Sequence, residues 1–230
     1  HPVDTRIRDL LFRVLGHSAV DPARLVRPIA SAVATRPEAI ELRERFPEPG
    51  TGDPRAWTAL QPLVCALLDD ALLQRLLEEV VVPNLFVERL LAFARHGLLR
   101  EFTADPMGPP SLPLPDIVAI AHQCFNTEYV HDESDAEAAA ATALRSAIAT
   151  ARAAGSRVPL HWYALYACCR PLHTLDADDG IAAELARTAL ASLALRQIRE
   201  PREERRLRGT IVALTDVVDG VSAAVRSQYE

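Results

Sequence analysis

Apolar residues recur at i, i+3, i+4 spacing in one segment after another, most of these segments open on a capping side chain, and convincing strand alternation appears nowhere. That periodicity is the signature of helices burying one stripe. Asp4 precedes Ile7, Leu10, Leu11, Val14 and Leu15, a run that should end near Gly16. Asp21-Pro22, a cap followed by a first-turn proline, introduces Leu25, Val26, Ile29 and Val33. Asp53-Pro54 repeats the device ahead of Trp57, Leu60, Leu63, Val64, Leu67 and Leu68. Asn84 opens a helix through Val87, Leu90, Leu91 and Ala94, with Gly97 expected as its left-handed stop. Asp116 should start a run through Ile117, Ile120, Ala121 and Cys124. Ser134-Asp135-Ala136-Glu137 has capping-box spacing and heads an Ala-rich helix ending at Gly155. A short aromatic helix over 159–169, one helix over 181–198 and a last one from Thr215 or Asp216 through Val225 complete the pattern. The expected class is all-α, either a multi-helix bundle or irregularly stacked helix pairs, with no substantial sheet.

Composition narrows the class further. Aromatic residues are only 5% of the chain, so Leu, Ala and Val must do the packing, which suits closely approaching helices better than a β-sandwich. With 230 residues there is enough chain for one or two cores. Proline-rich breaks at 47–54 and 106–115 cannot be helix interior. They suggest an unassigned helical segment over 1–50 and a helical spacer or interaction domain over 51–230, interrupted at 106–115. The second break reads as a surface connection between helices, with a polyproline ligand as the alternative. No 34-residue repeat is evident.

A net charge of −6 argues against nucleic acid as a partner. All 25 cations are Arg, which gene base composition explains, with phosphate recognition through Arg forks as the alternative. Cys65, Cys124, Cys168 and Cys169 form no disulfide framework, and reduced thiols fit a cytoplasmic setting. No apolar run reaches the ~18 residues of a membrane helix. His1 in place of Met suggests a trimmed or excised chain.

Residues with chemical potential are sparse. His122, Cys124 and His131 lack the paired spacing of a zinc site. Glu128-Tyr129-Val130-His131 has the Glu-x-x-His spacing of di-iron bundles, but a second copy and two further glutamates are missing. His161, Cys168, Cys169 and His173 are a looser set, read as thiols packed among Trp162, Tyr163 and Tyr166. Neither a nucleophile elbow nor a glycine-rich phosphate loop is present. Arg199 through Arg208 interleaves Arg and Glu at spacings that support a solvated helix or a docking surface.

Four stretches, in order, carry a family resemblance: Val81-Val82-Pro83-Asn84 with Glu88-Arg89-Leu90-Leu91; Gln123-Cys124-Phe125-Asn126-Thr127-Glu128-Tyr129-Val130; Arg170-Pro171-Leu172-His173-Thr174-Leu175; and Arg199-Glu200-Pro201 through Leu207-Arg208 to Gln228-Tyr229-Glu230. Together they resemble the helical region that precedes the catalytic domain in bacterial tetratricopeptide-repeat methyltransferases dependent on S-adenosylmethionine. The likeness runs from about residue 60 to the end. It departs at Asn126 and Thr127, where the family has an apolar residue and Asn. The resemblance implies a non-catalytic spacer that positions a protein or peptide, with S-adenosylmethionine held by a downstream methyltransferase domain and no cofactor in this segment. It singles out Gln123, Cys124, Phe125, Glu128, Tyr129, Arg170, His173 and Tyr229 as interaction or structural residues, and implies that the helix ending at Tyr229 lies against the catalytic domain. A free-standing helical adaptor or dimerisation module is the alternative, and a helical-bundle metalloenzyme around His122, Cys124, Glu128 and His131 is a third.

Overall fold

The computed structural model describes residues 5–47, 54–175 and 180–211, and every regular element among them is helical. The chain is all-α. In order come α1 (Thr5–Leu15), a 3-10 turn (Pro22–Leu25), α2 (Val26–Ala34), α3 (Pro37–Arg45), α4 (Pro54–Leu68), α5 (Ala71–Glu79) and α6 (Leu85–Ala104). Then follow α7 (Leu114–Asn126), α8 (Asp135–Ala153), α9 (Leu160–Ala167), α10 (Gly180–Leu185), α11 (Ala191–Ala194) and α12 (Glu200–Arg208). The expected caps at Asp4 and Asp53 and the final helix from Thr215 lie outside the described residues.

Side-chain caps set four of the described starts. Asp21 accepts from the Ala23 amide, Asp70 from those of Leu72 and Leu73, and Asn84 from those of Phe86 and Val87. Each removes an orphan first-turn donor. Ser134 and Glu137 form the full capping box of α8. At the other end of α8, Gly155 takes φ +67, so that its amide reaches Arg152 O and the Ser156 amide reaches Ala151 O. This is a Schellman stop.

Helix α7 lies at the centre, packed on α5, α9 and α11, while α8 packs on α6 and α9. One cluster of buried side chains runs from Leu15 to Ile198 and includes Leu112, within the proline-rich connection. That connection is fastened to the body: Trp162 Nε1 donates to Pro106 O (2.9 Å), Gln61 to Ser111 O (2.8 Å), and the Ser111 amide to Glu101 (3.0 Å). It is a surface strap between α6 and α7. Among the described residues no single helix is long and apolar enough to cross a membrane.

Four local expectations need correction. Gly97 does not stop a helix; α6 continues to Ala104, and a Cβ at Gly97 would sit 2.2 Å from the Trp57 ring. Its role is close approach between α4 and α6. The segment 181–198 is not one helix, because turns follow Leu185 and a π turn occupies Leu195–Arg199. Helix α7 begins at Leu114, which leaves Asp116 inside the first turn and buried. In α1 the inward stripe is Arg8, Leu11, Val14 and Leu15, while Ile7 and Leu10 are 51% and 53% exposed and Phe12 is exposed as well.

Candidate functional site

Three polar assemblies emerge, and the residues carrying the resemblance build the first. Helix α7 ends in a Schellman turn without glycine. The Glu128 amide bonds Phe125 O (3.0 Å) and the Tyr129 amide bonds Cys124 O (2.9 Å), with φ +53 at Glu128 and +58 at Tyr129. Both residues are left-handed, so Glu128 and His131 do not share a helical face and the Glu-x-x-His reading fails. The turn aims the Tyr129 hydroxyl at Ala167 O (3.0 Å) and Gln197 Oε1 (3.4 Å).

Gln197, fully buried in the π turn, is the knot of this assembly. Its Oε1 also accepts the Leu172 amide (3.1 Å), and its Nε2 donates to Ala121 O (3.2 Å). Pro201 has no amide to donate to Gln197 O one helical turn earlier; the ring Nδ1 of His173 lies 3.2 Å from that carbonyl and takes the place of the missing donor. Sequence periodicity alone does not mark Gln197, although Pro201 four residues on was the signal of a carbonyl needing a partner.

The remaining singled-out residues are anchored nearby. Gln123, with its amide oriented to suit its neighbours, donates to Val80 O (3.0 Å) and accepts from the Val82 amide (2.9 Å). Phe125 meets the Tyr129 ring edge-on at 6.4 Å. Arg170 forks onto Glu133 with two 2.8 Å bonds. Glu128 is exposed, and Tyr229 lies outside the described residues. Behind them Arg95, buried, donates to Glu137 (3.2 and 3.1 Å) and to Asp132 O (3.0 Å). Burial pushes the Glu137 carboxyl up, but the Ser134 amide and the Arg95 guanidinium outweigh it and hold the group below the ordinary range.

Burial dominates the thiols. It pushes Cys124 up to about 11, Cys169 up to about 12 and Cys168 well above the ordinary value, with Arg95 only partly opposing. Thiols kept protonated in this way are poor nucleophiles and poor ligands. Among the described residues, no three His, Cys, Asp or Glu side chains converge as a metal site would need.

A second assembly is an open cleft of about 640 Å³ between α1, the α2–α3 junction and the start of α5. On its wall Arg8 and Arg36 both pair with the buried Asp70 carboxylate, the latter at 3.2 Å, while Arg36 also holds Glu38 at 3.2 Å. These charges neutralise one another around a helix cap.

The third is a smaller cleft of about 180 Å³, walled by Leu114, Pro115, Val118 and Ala119 of α7 and closed by Gln74, Glu78, His122 and Ser192. His122 is 1% exposed, and burial, reinforced by Arg196, lowers its imidazole to about 4. Its Nε2 lies 3.0 Å from Ser192 Oγ and 3.8 Å from Glu78 Oε1, and its Nδ1 has no partner among the described residues. A Ser–His pair invites comparison with a hydrolase. Here both the hydroxyl and the carboxylate approach the same ring nitrogen, no acid orients Nδ1, and an imidazole titrating near 4 is a weak base. The arrangement suits binding better than nucleophilic attack.

No family model, curated protein or solved structure matches the chain.

Proposed function

We propose that the chain is a non-catalytic helical module of an S-adenosylmethionine-dependent methyltransferase, positioning a protein or peptide for a catalytic domain elsewhere in the polypeptide. The observation that supports it is the convergence on Gln197. Tyr129 from the second resembling stretch and Leu172 and His173 from the third bond its side chain or carbonyl, and Pro201 of the fourth creates the vacancy that His173 fills. Three of the four stretches that carry the likeness therefore act together as one architectural joint, with their polar groups engaged in holding helices in register. From this joint α12 departs with no buried residue, supported by the Glu203–Arg206 pair at 2.6 Å. An exposed helix of this kind suits a connection to a following domain. Among the described residues there is no strand, and so no strand–glycine turn of the sort that cradles S-adenosylmethionine.

The test is a thermal melt of the 230-residue chain with S-adenosylmethionine at millimolar concentration. The melting temperature should stay unchanged, and a saturable rise of several degrees would overturn the reading. A downstream reading frame encoding a glycine-rich strand–turn is the expected genomic result. A stop codon soon after Glu230 would favour the second reading, a free-standing adaptor or dimerisation module. The exposed Ile7 and Leu10 of α1, adjacent at i, i+3, favour that alternative, since neighbouring apolar side chains on a helix surface suit a contact site.

A further inference from the structure

The small cleft beside His122 has a composition that selects among ligands. Of the residues lining it, Glu78 alone carries a charge at neutral pH, because His122 is neutral there. Its walls on α7 are aliphatic. A cavity of ~150 Å³ accommodates a six-carbon ring, so about 180 Å³ holds a group of five or six heavy atoms.

The polar groups at its end lack donors rather than acceptors. With a carboxylate 3.8 Å from Nε2, the ring proton is favoured on that nitrogen, where it can also serve Ser192 Oγ. Nδ1 is itself closed off from solvent and offers nothing to a ligand in the cleft, so the ring serves only to hold Glu78 and Ser192 in place. Gln74 donates its amide to Leu68 O (2.8 Å) and to Asp116 (2.9 Å), leaving its carbonyl oxygen as an acceptor. Glu78 is only loosely paired: Arg75 stands 3.7 Å from it and prefers Glu79 at 2.6 Å. Half-exposed pairs of that length are displaced at little cost. An ammonium group has three donors and no acceptor, which complements this set.

We propose that the cleft binds a protonated aliphatic amine, its ammonium facing the Glu78 carboxylate and the Gln74 carbonyl and its alkyl stem lying along Leu114, Pro115 and Val118. Arg196, anchored on the Glu78 carbonyl, opposes a cation and keeps the expected affinity modest. The site belongs to this chain whether or not a methyltransferase domain follows it, so it stands or falls apart from the reading above.

The experiment is a titration of the ¹⁵N-labelled 230-residue chain with n-butylammonium chloride, following the His122 ring and the Ser192 amide by NMR at constant ionic strength. Saturable shifts with a Kd on the order of millimolar are expected for a ligand of about five heavy atoms. The neutral isostere n-butanol and the variant Glu78→Gln should each weaken binding at least tenfold, with the rest of the spectrum unchanged. Equal binding of butanol, an unaffected Glu78→Gln variant, or no saturation by butylammonium would each overturn the proposal. Nα-acetyl-lysine amide distinguishes the sources: binding as tight as butylammonium assigns the cleft to a peptide side chain, and weaker binding assigns it to a free amine.

Discussion

Replacing Asp116 with Asn should change how stability depends on pH. Asp116 is 1% exposed, one oxygen accepts from Gln74 at 2.9 Å, and the other has no partner among the described residues. Burial, with the Asp69 carboxylate adding to it, raises its carboxyl from 3.8 to about 6. The folded chain therefore binds more protons than the unfolded one between about pH 4 and 6, and this contribution to stability is present at low pH and lost as pH rises through 6. His122 works in the opposite sense. Its imidazole falls from 6.5 to about 4 on folding, so the unfolded chain binds more protons, and stability is lost as pH falls from 6.5 towards 4. Near pH 5 the two proton differences are about −0.9 and +0.9, and the pair contributes almost no slope. Asn mimics the protonated acid and removes the Asp116 half alone. The variant should then lose about 1.2 kcal/mol per pH unit on acidification around pH 5, relative to the wild type. Between pH 7 and pH 4 the stability difference between variant and wild type should change by about 2 kcal/mol, favouring Asn at neutral pH. Urea unfolding of both chains at half-unit pH steps measures this directly, since other groups cancel in the difference. A difference constant within about 0.3 kcal/mol across that range would refute a buried, poorly paired carboxyl at this position.

Other perturbations probe the packing. Gly97→Ala places a Cβ against the Trp57 ring and should cost about 1–3 kcal/mol, read as a fall of roughly 2–12 °C in melting temperature and a changed tryptophan emission. Glu137→Ala leaves Arg95 buried without its carboxylate and removes the capping box of α8. A loss of about 3–5 kcal/mol by denaturant unfolding is expected, against little change for Glu203→Ala on exposed α12. Tyr129→Phe deletes the hydroxyl that bonds Ala167 O and approaches Gln197. It should cost about 1–2 kcal/mol and speed hydrogen exchange at the Leu172 amide, which shares Gln197 Oε1.

Local signals were legible wherever a single short-range interaction decides the outcome. Asn84 and Ser134 announced their helices because a side chain two or three residues from an orphan amide satisfies it in any tertiary setting. Gly155 announced a stop because left-handed backbone favours a residue without a Cβ. The same rule misled at Gly97, where the missing Cβ serves the Trp57 ring on another helix, and it overlooked Glu128 and Tyr129, which adopt that backbone without being glycine.

The sequence by itself determined that the described chain is helical and where the helical segments opened by Asp21, Asn84 and Ser134 begin, since periodicity and caps act over one or two turns. Tertiary structure alone decided which apolar residues lie inside, as the half-exposed face of α1 shows, and which polar groups meet. Gln197 and Tyr129 are 68 residues apart, and His122 and Ser192 are 70. Bonds over such separations follow from how whole helices stack, and helix stacking is fixed by the summed fit of many side chains rather than by any one stretch of chain.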